Sequence, residues 1–126
     1  MADVLGTMTI TEKRGAGIKR IKAAWTSGQG VYEGTASGTT TGWYSGRCIA
    51  AITVPSAVDP PTANYDISIT DSDSVDVTLG ALADRHTANT EFRAEASLGA
   101  VAGSKLTIAI TNAGDTKKGT VYLLIK

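Results

Sequence analysis

At 126 residues the chain has the length of one ordinary domain, enough to bury roughly two-thirds of the surface its unfolded form exposes. Twelve basic side chains balance twelve acidic ones and hydrophobic residues make up 42%, which excludes a disordered chain and argues against a nucleic-acid partner. Cys48 is the single cysteine, so no internal disulfide can form, and no apolar run approaches the roughly 18 residues of a membrane span.

The N-terminus carries no basic segment followed by a long apolar one, so the expected setting is a soluble protein made in a cytoplasm. Threonine is abundant, glycines number fourteen and phenylalanine occurs once, a composition that favours strands and turns over helices. Residues 7–14 alternate Met8 and Ile10 against Thr9 and Thr11, and Gly15-Ala-Gly17 then breaks the strand before Ile18 restarts it. In residues 18–25, Lys19, Ile21, Ala23 and Trp25 share one parity while Arg20, Lys22 and Ala24 share the other. Neither face is purely apolar, which predicts an edge or interface strand. Residues 26–42 are rich in Gly, Ser and Thr and predict a long loop, less stable than the strands around it.

Residues 43–54 form the longest apolar run, with Cys48, Ile52 and Val54 on one parity and Ile49 on the other, as in a central strand covered on both faces. Cys48 there reads as a small buried hydrophobe. Pro55 ends the strand, and Pro60-Pro61 stiffens the connection that follows. Residues 64–79 predict a β-hairpin: Tyr65, Ile67 and Ile69 face one way, Asp71-Ser-Asp-Ser turns the chain, and Val75, Val77 and Leu79 return. Residues 80–89 are too short for an assured helix. Residues 90–97 set Phe92, Ala94 and Ala96 against Glu91, Arg93 and Glu95 in a half-buried strand. Leu106, Ile108 and Ile110, then a turn at Asn112-Ala-Gly-Asp, then Val121, Leu123 and Ile125, predict a closing hairpin. About eight short strands with turns between them imply a single all-β domain, an antiparallel sandwich or jelly roll, with residues 1–25 an interface arm or edge-strand region.

The chemistry-bearing residues assemble no catalytic set. Asp71, Asp73 and Asp76 resemble the start of a calcium loop, but Val75, Asp76 and Leu82 stand where the pattern needs a ligand, Gly and Glu, so turn capping is the better reading. His86 is the only histidine and, with Asp84, completes neither a zinc set nor a triad. Gly28-Gln-Gly-Val-Tyr-Glu-Gly lacks the Lys-Ser/Thr of a phosphate loop. Lys13, Arg14, Lys19, Arg20 and Lys22 fall within ten residues, and with Ile21 and Trp25 they are the candidate protein-contact residues. This stretch is dense enough to bind phosphates or an acidic protein patch, but alternation divides its charges between two faces and only Trp25 offers an aromatic, which argues against nucleic acid. The other readings are a solvated edge strand guarded by lysines and a partner for the acidic segment of residues 66–84, within one subunit or between neighbours. Trp43 and Tyr44, entering a central strand, predict core packing, with a sugar platform as the alternative.

Tyr65-Asp-Ile-Ser-Ile-Thr-Asp, Val75-Asp-Val, Gly80-Ala-Leu-Ala-Asp-Arg, Thr87-Ala-Asn-Thr-Glu, Gly103-Ser-Lys-Leu-Thr-Ile and Asn112-Ala-Gly-Asp-Thr-Lys-Lys-Gly-Thr-Val-Tyr-Leu, taken together, resemble small structural proteins encoded among the head and tail genes of tailed bacteriophages and prophages. The resemblance covers about the C-terminal half and carries over no site residue. It implies a virion component without enzymatic activity or cofactor, foremost a capsid decoration (cement) protein. The implied partners are the major capsid protein or other virion proteins and further copies of this chain, with no membrane or nucleic acid. The alternatives are a tail, neck or fibre-associated virion protein and, from another class, a carbohydrate-binding module using Trp43 and Tyr44.

Overall fold

The computed structural model describes residues 3–15 and 17–126. Among these residues nine strands form: β1 (Thr7–Lys13), β2 (Lys19–Thr26), β3 (Ala36–Thr39), β4 (Tyr44–Pro55), β5 (Asp66–Thr70), β6 (Glu91–Ala94), β7 (Ala100–Ser104), β8 (Thr107–Thr111) and β9 (Lys118–Ile125). The larger sheet runs β1-β2-β9-β4-β6, with β7 continuing β6 along the same edge of β4, and the smaller runs β3-β8-β5. All pairings between these strands are antiparallel. The fold is an all-β sandwich, as the strand spacing predicts.

The pairings are nested about the acidic turn at residues 71–74. Residues 76–85 return along β5, β6 and β7 along β4, β8 along β3, and β9 along β2. One long hairpin has rolled up, bringing β9 also against β4 and β8 against β5, which is the jelly-roll arrangement with β1 added at one edge. The sequence places the turn correctly but not its return arm. Residues 76–85 form no strand; they hold β5 through isolated bonds, from Val77 N–H to the Ile69 carbonyl at 2.8 Å and from Arg85 N–H to the Tyr65 carbonyl at 2.7 Å. Left-handed backbone at Ser74, Leu79, Gly80 and Asp84 breaks the pleat. Val77 is therefore buried, while Val75 and Leu79, expected beside it, face solvent.

Alternation decides which side chains enter the core. Ile21, Ala23 and Trp25 of β2, Ala51 of β4 and Val121, Leu123 and Ile125 of β9 line the larger sheet's inner face. Ile67, Ile69, Ile108, Ile110 and Ala36 line the smaller one. The expected closing hairpin is thus corrected: β8 and β9 lie in opposite sheets, and residues 112–117 carry the chain across the sandwich. Residues 26–42 are likewise more than a loop, since β3 completes the smaller sheet. Its Gly38 lets Met8 and Ile10 of β1 pack close above the backbone. The expected break at residues 15–17 includes Ala16, which lies outside the described residues; strands do form on both sides of it.

Trp25 is the largest core side chain and needs glycine opposite it. Gly119 is its cross-strand partner on β9, and a Cβ there would sit 2.6 Å from the indole Cζ2. Tyr65 packs against the indole at 5.7 Å between ring centroids, so the ring has little room to yield. Gly119→Ala is expected to cost about 1–3 kcal/mol by overpacking, read as a fall in the urea midpoint with an unchanged slope. An unchanged midpoint would show that the indole moves aside freely.

Candidate functional site

In a sandwich the outward positions of an antiparallel sheet ordinarily carry polar side chains. The larger sheet departs from this. Register sets Thr11, Lys22, Tyr122, Ile52 and Phe92 in one row across its outer face. Lys13, Arg20, Leu124, Ala50 and Ala94 form the next, and Thr9, Ala24, Thr120 and Val54 the row on the other side. Ile52, Val54, Tyr122 and Leu124 are half-buried, and Phe92 is 59% exposed. The expectation that β4 is covered on both faces therefore meets a sheet whose outer face no described strand or helix covers. Phe92, expected on the buried side of its strand, belongs to this outer face.

The basic residues rim this apolar strip on the side of β1 and β2. Arg20 and Lys22 both lie over the Tyr122 ring, at 5.7 and 5.9 Å from its centroid, so their stems lengthen the apolar surface while their charges border it. Lys13 stands beside Arg20 on the exposed edge strand. None of the three is ion-paired among the described residues. The ion pairs present are Arg47–Glu95, Arg85–Glu91 and Lys118–Asp59, so the basic strands and the acidic segment of residues 66–84 do not neutralise each other within the subunit.

The structure divides the seven sequence-predicted contact residues into three groups. Lys13, Arg20 and Lys22 share the outer face. Arg14 and Lys19 leave it for the end of the sandwich, where Arg14 donates to the Trp43 carbonyl at 3.3 Å and Lys19 to the Ser45 carbonyl at 3.4 Å. Ile21 and Trp25, at 1% and 3% exposure, are core and cannot touch a partner. β2 is also not an edge strand, because β1 covers it. Sequence reasoning missed Ile52, Val54, Phe92, Tyr122 and Leu124. Their signal was present in β4 and β9, which are apolar on both parities where a strand covered on one side would alternate.

The other candidates resolve into structure. Asp71 accepts from the Asp73 and Val75 N–H groups, and Asp76 from the Thr78 N–H, the Thr78 hydroxyl and the Gly80 N–H, so these carboxylates cap turns. No group of three or more His, Cys, Asp or Glu among the described residues is placed to hold a metal ion. Exposed His86 accepts through Nδ1 from the Ala88 and Asn89 N–H groups. Burial, and secondarily Asp76, push the Cys48 thiol up to about 11, away from the thiolate a nucleophile needs. No described helix is long and apolar enough to cross a membrane. Compared with known proteins, the chain matches no family model, no curated protein and no solved structure.

Proposed function

We propose that this protein is a virion component that decorates the head of a tailed bacteriophage, binding the assembled capsid non-covalently through the outer face of the larger sheet. The observation that carries the reading is the uncovered strip of Ile52, Val54, Phe92, Tyr122 and Leu124 bordered by Lys13, Arg20 and Lys22. Apolar surface of this kind on a sheet that already closes its own core gains free energy only when a second surface removes it from water. The rim dictates the partner's chemistry: an apolar patch bordered by carboxylates, met in one register by opposite charge. Stabilisation follows by mass action, because a protein that binds only the assembled lattice lowers that state relative to its parts.

The test is sedimentation of the purified protein with phage heads prepared without it. Saturable binding to heads is expected. Phe92→Ser should weaken it about tenfold, the loss of one well-packed aromatic anchor. Reversing Lys13, Arg20 and Lys22 to Glu should weaken it further and reduce its salt dependence, while the melting transition stays cooperative. Binding to tails but not heads, or an affinity and salt dependence unmoved by these changes, would overturn the proposal.

A further inference from the structure

Trp43 and Tyr44 part company in the fold. Tyr44 is buried, whereas Trp43 is 61% exposed at the end of the sandwich, on the loop that joins β3 to β4. That loop is clamped from two sides. Toward β8, the Thr40 N–H donates to the Leu106 carbonyl at 2.9 Å and the Leu106 N–H donates to the Thr40 hydroxyl at 3.0 Å. Toward β1, Glu12 accepts from the Thr41 N–H at 2.9 Å, the Thr41 hydroxyl at 2.9 Å, the Gly42 N–H at 3.1 Å and the Tyr44 hydroxyl at 2.6 Å. An indole presented on so constrained a loop loses little further freedom when a ligand covers it.

Two cations from separate parts of the chain reach Trp43, one at its ring and one at its carbonyl. Lys105, before β8, holds Nζ 6.0 Å from the Trp43 ring centroid. Arg14, after β1, donates to the Trp43 carbonyl and lies over the Tyr44 ring at 5.8 Å. Gly42 makes that crossing possible, because a Cβ there would sit 2.5 Å from Arg14 Nη1. Neither cation is ion-paired among the described residues, and the Glu12 carboxylate on the same loop is engaged by its four donors.

We infer that Trp43, Arg14 and Lys105 form a binding site for an acidic sugar, in which the C–H face of a uronic acid ring packs on the indole and its carboxylate meets the two cations. The site offers one exposed indole, with one cation at its ring and a second at its backbone carbonyl, which suits a single ring bearing one anionic group. A single-stranded nucleic acid would instead use successive aromatics along a continuous basic groove. A neutral sugar would leave both cations without a partner. The inference is independent of the capsid-docking face, which lies on the outer surface of the larger sheet.

Only two tryptophans are present, and Trp25 is buried, so a ligand-induced change in emission reports on Trp43. The full chain is titrated with trigalacturonate, with maltotriose as the neutral trisaccharide and oligothymidylate as the nucleic-acid control. Saturable quenching by trigalacturonate is expected, in the millimolar range of an open one-ring site, with maltotriose at least about tenfold weaker. By calorimetry, Trp43→Ala should reduce the affinity at least about tenfold and Lys105→Ala about two- to fivefold, with unchanged melting temperatures showing that both variants fold. No saturable response to trigalacturonate, equal binding of maltotriose, or tighter binding of oligothymidylate would each overturn the inference.

Discussion

Ile108→Ala and Leu123→Ala are each expected to lower the stability of the fold by about 2–5 kcal/mol. Both side chains are about 1% exposed, Ile108 on the smaller sheet's inner face and Leu123 on the larger sheet's. Truncation removes buried methyl groups and leaves a cavity that the surrounding core relaxes into only partly. Against a total of about 5–15 kcal/mol for an ordinary domain, either change consumes a large share of what holds the chain folded. The comparison is Phe92→Ala on the outer face, expected within about 0.5 kcal/mol of the parent because its ring is already in water. Urea unfolding of the three variants decides the point. A loss at Phe92 comparable to that at Ile108 would mean that the outer face contributes to the subunit's own stability, which would undercut its assignment to a partner.

Glu12→Gln should destabilise the protein by about 1–3 kcal/mol at neutral pH and by much less at pH 2. Burial works against the Glu12 charge, but the bonds from Tyr44, Thr41 and Gly42 outweigh it and hold the carboxyl down at about 2, from an ordinary 4.5. A depressed pKa in the folded state means stability that is fully present above about 4.5 and is lost as the pH falls from there through about 2. The same pairing acts on its partner, since burial first and then the Glu12 carboxylate push the Tyr44 hydroxyl upward. The side chain is half-buried, so solvent screens part of the effect and the full shift is not converted into stability. Gln keeps the shape but offers one acceptor oxygen where the carboxylate offers two. The measurement is the stability difference between parent and variant across pH 2 to 7, which should narrow as Glu12 of the parent takes up its proton. A difference constant over that range would show that the bonds to Thr41, Gly42 and Tyr44 hold the loop without help from the charge.

Much of the fold is legible in the sequence where a strand has one clear job. β5 can be read from Tyr65, Ile67 and Ile69, and β4 from the apolar residues gathered between Cys48 and Val54. The inward residues of β8 and β9 can be read from their period of two, but that period states which side chains enter the core and not which sheet carries them. Asn112-Ala-Gly-Asp therefore looked like a hairpin turn when it is a crossing between sheets. β3 was hidden because its residues must be small, with Met8 and Ile10 lying against Gly38. The return arm along β5 was over-read, since Val75, Val77 and Leu79 have strand spacing, yet Asp76 draws the Thr78 and Gly80 N–H groups into a turn instead. At the candidate docking face, Lys13, Arg20 and Lys22 could be found by charge density. Their apolar neighbours could not, because Phe92, Ile52, Tyr122 and Lys22 form one row only once the register of four strands is known.

The nested pairing also sets the entropy of building the molecule. Joining β2 to β9 directly would close a loop of nearly the whole chain, and loop-closure entropy must be met before the contacts it permits are made. Begun instead at the turn of residues 71–74, each pairing brings the next outer pair close, so every later closure spans only a short additional segment. Asp71 and Asp76, which cap the turns there, bracket the point from which that least costly order starts, and β1, lying outside the nest, can be added last with only the short connection of residues 14–18 to close.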